Sequence, residues 1–251
     1  ETSQALAGQT TLVPGGGLGE ELRFIKDAAE TACIRKACAA TDRVFEALCN
    51  YIRPGVTEKE IAREIAYLIA TEGCDNSFDI IIASGVNGSL PHAVPQADKA
   101  VARGELVTMD FGCLYQGYHA DMTRTVMVGP PADWQKEIYG IVLEANKKAE
   151  SLIKAGVKGA DVDAAARDYI TAQGYGQHFG HGLGHGVGLE IHEDPFMSRT
   201  CTHDLQSNCV ITVEPGIYLP GQGGCRIEDT VLVTETGAEV LFASAKEMII
   251  L

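Results

Sequence analysis

The chain is expected to fold as an α+β protein, built from two related halves with helices packed on one face of a sheet. Three observations predict this. Helical and strand patterns alternate in blocks instead of as strand–helix–strand units. The sequence matches itself at an offset of about 101 residues, setting Ile52-Arg53-Pro54-Gly55-Val56 over Ile153-Lys154-Ala155-Gly156-Val157, Ile69 over Ile170, Gly73 over Gly174 and Phe78 over Phe179. Carboxylates then match twice as the offset grows a little, as loop insertions would make it: Met109-Asp110 parallels Val213-Glu214, and Asp121-Met122-Thr123 parallels Glu228-Asp229-Thr230. Two such halves predict a pseudo-two-fold axis with a shared site between them.

Residues 1–19 read as a polar, Gly-rich tail with a linker-like Pro14-Gly15-Gly16-Gly17. Apolar residues at helical intervals from Leu22 to Leu48 predict a helix from Glu20 to about Ile52, stopped by Arg53-Pro54-Gly55. Thr57-Glu58-Lys59-Glu60 has the form of a capping box and opens a helix running to Glu72-Gly73. Phe78 to Ala83 and Leu106 to Phe111 read as strands, and Tyr115 to Val128 as a third after a tight Gln116-Gly117 turn. Trp134 to Ile153 and Val162 to Gln173 are amphipathic, and β-branched, Gly-rich strands follow to the end.

Composition narrows the function classes. The chain has 251 residues, 45% of them hydrophobic, which is enough for a full core. Twenty basic against 34 acidic side chains leave a net charge of -14, which argues against nucleic acid or an anionic membrane as partner. No apolar run approaches the ~20 residues of a membrane span, and the first residues hold no apolar stretch of signal-peptide type. The eight scattered cysteines form no CxxC pair, so they are expected as reduced thiols of a cytoplasmic protein. Cys225, beside Arg226, is read as a packing residue. Because the chain begins with Glu1, it is expected to be a fragment or a processed form.

The chemistry is expected at the paired carboxylates. An acid at the core end of a β-branched strand is costly unless it is paired or bound to metal. Four converging acids, Asp110, Asp121, Glu214 and Glu228, would repel one another unless cations balance them. One of these alone reads as a turn cap or a surface acid; all four at matched positions point to divalent metal. Four of the seven histidines lie between His178 and His192, where alternating glycines suggest a strand with His181, Leu183, His185 and Val187 on one face. In a straight strand His181 and His185 would stand ~13 Å apart, so one is expected at metal and the other at substrate. His92 sits in a turn-rich loop, a usual place for functional groups. His119, His178 and His203 are read as structural.

In order and local context these residues resemble the pita-bread metallopeptidases, which include methionine aminopeptidases, prolidases and aminopeptidase P. The phrases carrying the resemblance are Met109-Asp110-Phe111-Gly112, Gly117 to Thr125, His185 to Glu193, and Val213-Glu214-Pro215-Gly216-Ile217-Tyr218. The resemblance runs from Glu20 to Leu251. It implies a catalytic domain over 20–251, with halves of about 20–130 and 131–251 forming a curved antiparallel sheet covered by helices. It implies two divalent ions held by Asp110, Asp121, His185, Glu214 and Glu228, with Asp121 and Glu228 bridging. Oxygen-rich ligation makes Mn²⁺ the first choice, with Co²⁺ or Zn²⁺ as alternatives.

Leu90-Pro91-His92 and His181 place the resemblance in the Xaa-Pro branch. The implied reaction is attack by a metal-bridging hydroxide on the carbonyl before proline in a short peptide or dipeptide, with Glu214 as proton acceptor. His92 and His192 would steady the oxyanion and the substrate carbonyl. His181 and Arg226 would hold the proline side or its carboxylate; Arg226 has an alternative role in an ion pair that orients the metal carboxylates. The resemblance further implies an N-terminal domain missing from this chain, and a homodimer as the assembly to test. Competing readings are a methionine aminopeptidase, disfavoured by His181 and the Leu90-Pro91-His92 loop, and an inactive binding homologue, disfavoured by the intact ligand set.

Overall fold

Capping chemistry fixes where the helices of the first half begin. The computed structural model describes residues 17–251; the tail from Glu1 to Gly16, with most of the linker-like stretch, lies outside the described residues. Helix α1 spans Leu18–Phe24, α2 Ala28–Cys49 and α3 Glu58–Thr71. One helix was expected across the first two, and the chain breaks it at Ile25, which is extended and bridges to Cys209. Asp27 then restarts the helix. Its side chain accepts from the amides of Ala29 and Glu30 at 2.8 and 2.9 Å, and Glu30 accepts from the Asp27 amide at 2.7 Å. A reciprocal cap and a tertiary bridge outweigh the helical periodicity there. The box at Thr57 and Glu60 opens α3 as the sequence predicts.

The second half repeats the plan. Helices α4 (Asp133–Leu152) and α5 (Gly159–Ala172) follow one another as α2 and α3 do. Helices α3 and α5 have the same 14 residues of length and begin at 58 and 159, the offset read from the sequence.

In the first half the strands are β1 (Asp75–Asn76), β2 (Ile81–Ser84), β3 (Glu105–Phe111), β4 (Cys113–Tyr115), β5 (Tyr118–His119) and β6 (Met122–Val128). The long strand expected from Tyr115 is interrupted. Gln116 and Gly117 turn with φ of 50° and 85°, and Ala120 and Asp121 lie outside any strand. The second half carries β7 (Gly184–Gly186), β8 (Glu193–Met197), β9 (Val210–Val213), β10 (Gly216–Leu219), β11 (Gly223–Arg226), β12 (Asp229–Val233) and β13 (Ala238–Val240). The main ladders are β2-β3-β6 and β13-β12-β9-β7-β8, with small β1-β4-β5 and β10-β11 ladders, all antiparallel. Within them, β2-β3-β6 corresponds to β7-β9-β12.

Each half has its own core: Ile34, Leu48, Ile65 and Phe111 in one, Ile138, Val162, Ile170 and Ile211 in the other. Every residue of β6 and β12 is buried, so neither strand alternates in polarity. Threonine hydroxyls join the halves along this seam. Thr123 donates to the Glu228 carboxylate, Thr125 to the Arg226 carbonyl and Thr230 to the Asp121 carbonyl, at 2.6, 2.8 and 2.9 Å. The eight cysteines are unpaired, and among the described residues no helix is long and apolar enough to cross a membrane.

Candidate metal centre

The ladders deliver the carboxylates in pairs. Asp110 is near the end of β3, and Asp121 stands one residue before β6, whose Thr123 faces Asp110 across the ladder. In the second half Glu214 follows β9 and Glu228 precedes β12, with Val213 opposite Asp229. Strand β7 adds His185. Its amide donates to the Thr212 hydroxyl at 3.0 Å, and the Glu214 amide donates to the Leu183 carbonyl at 2.7 Å. The flanking glycines are required by contact: a Cβ at Gly184 would lie 2.1 Å from the Thr212 carbonyl oxygen, and one at Gly186 2.3 Å from that of Asp194. Only these three residues of the histidine-rich segment are strand; Gly176–His178 is a 3-10 turn and the remainder is irregular. The single-face strand expected there is therefore not formed, because β7 must bend between β8 and β9.

Ligand atoms of Asp121, His185 and Glu228 lie within 4.8 Å of one another, and all three residues are buried. His185 Nε2 stands 3.4 Å from Asp121 Oδ2 and 3.5 Å from Glu214 Oε1. Its Nδ1 is 3.0 Å from the Gly186 carbonyl oxygen. A carbonyl only accepts, so Nδ1 carries the hydrogen. Nε2, the atom facing the carboxylates, is the one a metal would take in exchange for a proton.

The charges in this cluster are compensated only in part, by Arg226 at Asp110. Burial raises the pKa of Asp110, to about 8, and repulsion from Asp121 and Glu214 adds to it despite Arg226. Burial raises Glu214 to about 7, with Asp121 adding to the shift and His185 and Arg226 opposing it. Glu228 is raised well above the carboxylate range by burial, Asp121 and Glu214. Burial alone would lower His185; its hydrogen bond to Asp121 and the Glu214 charge lift it to about 9 instead. Asp110 Oδ1 is buried with no hydrogen-bond partner. An orphaned carboxylate oxygen, four crowded acids and one imidazole anchored through Nδ1 suit divalent cations, which replace the missing positive charge.

Arg226 is buried and almost fully committed. It donates from Nη2 to Asp110 at 2.5 Å, from Nη1 to the Pro91 carbonyl and the Tyr218 hydroxyl at 3.0 Å each, and from Nε to Thr123 at 2.9 Å. Because Thr123 donates on to Glu228, Arg226 orients two of the four carboxylates. This is the ion-pair alternative open to it in the sequence. His181 Nδ1 donates to the Gly182 carbonyl, leaving Nε2 to accept from Tyr218 at 2.9 Å. Burial and then Arg226 hold this ring near pKa 4, hence neutral.

His92 and His192 are exposed at the same cavity, which measures about 330 Å³ and is walled on its apolar side by Phe78, Ile81, Ile191 and Phe196. The His192 and His185 ring centres are 4.3 Å apart. Burial and the neighbouring His185 lower the pKa of His192. Tyr218 and Thr123 were not singled out as site residues from the sequence. Each nevertheless lies in a phrase that carried a signal, four residues after Glu214 and two after Asp121.

Comparisons with known proteins agree with this geometry. The chain is 46% identical over 230 residues to the Xaa-Pro dipeptidase of Pyrococcus horikoshii, covering 91% of this chain and 65% of that protein. It is 44% identical over 248 residues to the uncharacterized peptidase YqhT of Bacillus subtilis, covering 98% and 70%. Among solved structures, the Xaa-Pro dipeptidase from Bacillus anthracis superposes with a TM-score of 0.97 at 47% identity, covering all of this chain and 70% of that one. The X-Pro aminopeptidase from Thermotoga maritima gives 0.95 at 42%, covering 99% and 70%. The chain thus spans 65–70% of the length of these relatives, and it has the expected pita-bread fold. The model of metallopeptidase family M24 matches residues 32–235, and with the buried cluster of carboxylates and histidine the conclusion is that the chain belongs to this family.

Proposed function

We propose that the chain hydrolyses the bond between an N-terminal residue and a following proline, in dipeptides or short peptides, with two divalent metal ions. The observation that carries this reading is one cavity that gathers Asp110, Asp121, His185, Glu214 and Glu228, three further histidines and an apolar wall suited to a pyrrolidine ring. Relatives named as Xaa-Pro dipeptidase and X-Pro aminopeptidase support the substrate class. The five named side chains would hold the ions, and four carboxylates against one imidazole favour Mn²⁺ over Co²⁺ or Zn²⁺. When bound, the ions polarise the scissile carbonyl and lower the pKa of a water at the site.

The chain's own groups supply the proton traffic. Glu214, whose carboxylate lines the cavity beside His185, takes a proton from the attacking water. The proline nitrogen belongs to a tertiary amide with no hydrogen, so it leaves only after gaining a proton, and Glu214 returns the one it took. His192 and His92 each offer an N–H to the substrate carbonyl as it becomes an oxyanion. His181, fixed by Tyr218, faces the proline side. Arg226 is a positioning group that aims Asp110 and, through Thr123, Glu228. We assign residues 20–251 to one catalytic domain with halves of about 20–130 and 131–251, and eight free thiols favour a cytoplasmic setting.

The test is hydrolysis of Xaa-Pro dipeptides, Xaa-Pro tripeptides and Met-Ala-Ser by metal-stripped protein to which Mn²⁺ is restored. Cleavage of dipeptides alone marks a dipeptidase; cleavage of tripeptides as well marks an aminopeptidase. Release of Met from Met-Ala-Ser overturns the proline reading.

A further inference from the structure

The His92 side chain makes no hydrogen bond among the described residues and its ring is exposed. Its position is therefore set by the loop that carries it, from Ser84 to Gln96. That loop holds little apolar anchorage: between 85 and 96 only Gly88 and Ala93 are buried, while Leu90 and Val94 are 54% and 76% exposed. A segment of this kind opens easily unless polar ties hold it.

The ties converge on Glu58, the first residue of α3, whose exposure is 0%. Its Oε1 accepts from the Ser84 amide at 2.7 Å, the Ser84 hydroxyl at 2.9 Å and the Asn87 side-chain amide at 3.1 Å. Its Oε2 accepts from the same Asn87 nitrogen at 3.2 Å and from the Gln96 amide at 3.1 Å. Thr57 and Glu60 already cap the helix, so this carboxylate is free to serve the loop. It has no Lys or Arg partner among the described ion pairs, and four donor groups together with the helix N-terminus offset its burial. The other side of the loop rests on β11. A Cβ at Gly224 would lie 2.1 Å from the Gly88 carbonyl oxygen, and Arg226 holds the Pro91 carbonyl beside His92.

The second half treats its histidine segment in the same way. On α5 the buried Asp163–Arg167 pair accepts from the Leu183 amide at 3.1 Å and donates to the carbonyls of Phe179 and His181 at 3.0 and 2.6 Å. In both halves a buried acid on the short helix ties down the segment that presents a histidine.

We propose that Glu58 is a positioning residue for hydrolysis: its buried carboxylate ties both ends of the 84–96 loop and so fixes His92 at the catalytic cavity. This rests on the role given to His92 above. The test compares Glu58→Gln and Asn87→Ala, each alone and combined with His92→Ala, in metal-loaded protein. Readouts are kcat/KM on an Xaa-Pro dipeptide, bound metal, and amide exchange of the loop by mass spectrometry. Glu58→Gln is expected to lower kcat/KM by ~10- to 100-fold through misplacement of His92, with bound metal unchanged and the loop exchanging faster. In the His92→Ala background it should cause no further loss. Asn87→Ala should show the same pattern at smaller amplitude, and it carries the comparison if Glu58→Gln does not fold.

Losses that multiply in the double variants, or full activity with unaltered exchange in Glu58→Gln, overturn the proposal. If the unmodified chain cleaves no Xaa-Pro peptide, the substrate reading fails, whereas faster loop exchange in Glu58→Gln still supports the anchor.

Discussion

Replacing Thr123 by valine removes one hydroxyl and keeps the outline of a side chain that is fully buried. That oxygen donates to Glu228 Oε2 at 2.6 Å and accepts from Arg226 Nε at 2.9 Å, so the partners lost are a guanidinium and a carboxylate that is charged when metal is bound. A hydrogen bond to a charged group contributes ~1.5–3 kcal/mol. An outer partner of a metal ligand is typically worth a factor of ~10–100 in metal affinity, which converts to ~1.4–2.7 kcal/mol. The two routes agree in size, so Thr123→Val should weaken metal binding by ~10- to 100-fold. Its seam mate Thr230 is equally buried but donates to a neutral backbone carbonyl, that of Asp121, at 2.9 Å. Thr230→Val should cost ~0.5–1.5 kcal/mol of stability and leave metal binding unchanged. Calorimetric titration of the stripped proteins with Mn²⁺, beside urea unfolding, separates the two. If Thr123→Val binds metal as tightly as the unmodified chain, or if both variants weaken it alike, the assignment of Thr123 to the ligand network is wrong.

Asp121→Ala should abolish both metal binding and hydrolysis while the metal-free protein keeps its fold, checked by metal analysis and circular dichroism; retained activity refutes the two-ion reading. The metal-stripped chain should lose stability as the pH rises. Asp110, Glu214 and His185 have folded pKa values of about 8, 7 and 9, all above their ordinary ones, so the folded state holds protons that the unfolded state has released. Their contribution is complete below about pH 4, falls progressively as the pH rises and is gone by about pH 9, and a urea midpoint that climbs between about pH 7 and 9 contradicts the burial described here. Arg167→Met strands Asp163, which is fully buried, and should cost ~3–5 kcal/mol. In a domain of this size that is a fall of ~6–20 °C in melting temperature, measured by calorimetry.

Much of this architecture could be read from the chain because it is local or repeated. The capping box at Thr57 and Glu60 and the 101-residue offset needed only short windows, and matched Asp and Glu positions pointed to the four carboxylates that line one cavity. The break at Ile25 was missed because its cause is distant: a bridge to Cys209 and a cap at Asp27 override a pattern that reads as continuous helix. The histidine segment misled for a related reason. Alternating glycines suggest a strand, but here they serve close approach to Thr212 and Asp194, and the ladder lasts three residues. Arg226, Thr123 and Tyr218 act through partners up to 135 residues away. A sequence can show that such residues are present, but which of them touch depends on the packing of two halves.

The correspondence of β2-β3-β6 with β7-β9-β12 has a consequence for descent. A duplication would give two copies of everything, and the four carboxylates match that equality, two from each half. The imidazole does not. Strand β7 carries His185 between its glycines, whereas the matching strand β2 is Ile-Ile-Ala-Ser and carries no ligand. Two identical early halves, both with the β2 pattern, would have offered only oxygen and served the hardest ions. Two with the β7 pattern would have offered an imidazole on each side. The present chain holds one of each, so under the two-ion proposal its cation positions would be chemically different neighbours in a symmetric frame. Further change in metal preference can then arise on one side of the axis without disturbing the other.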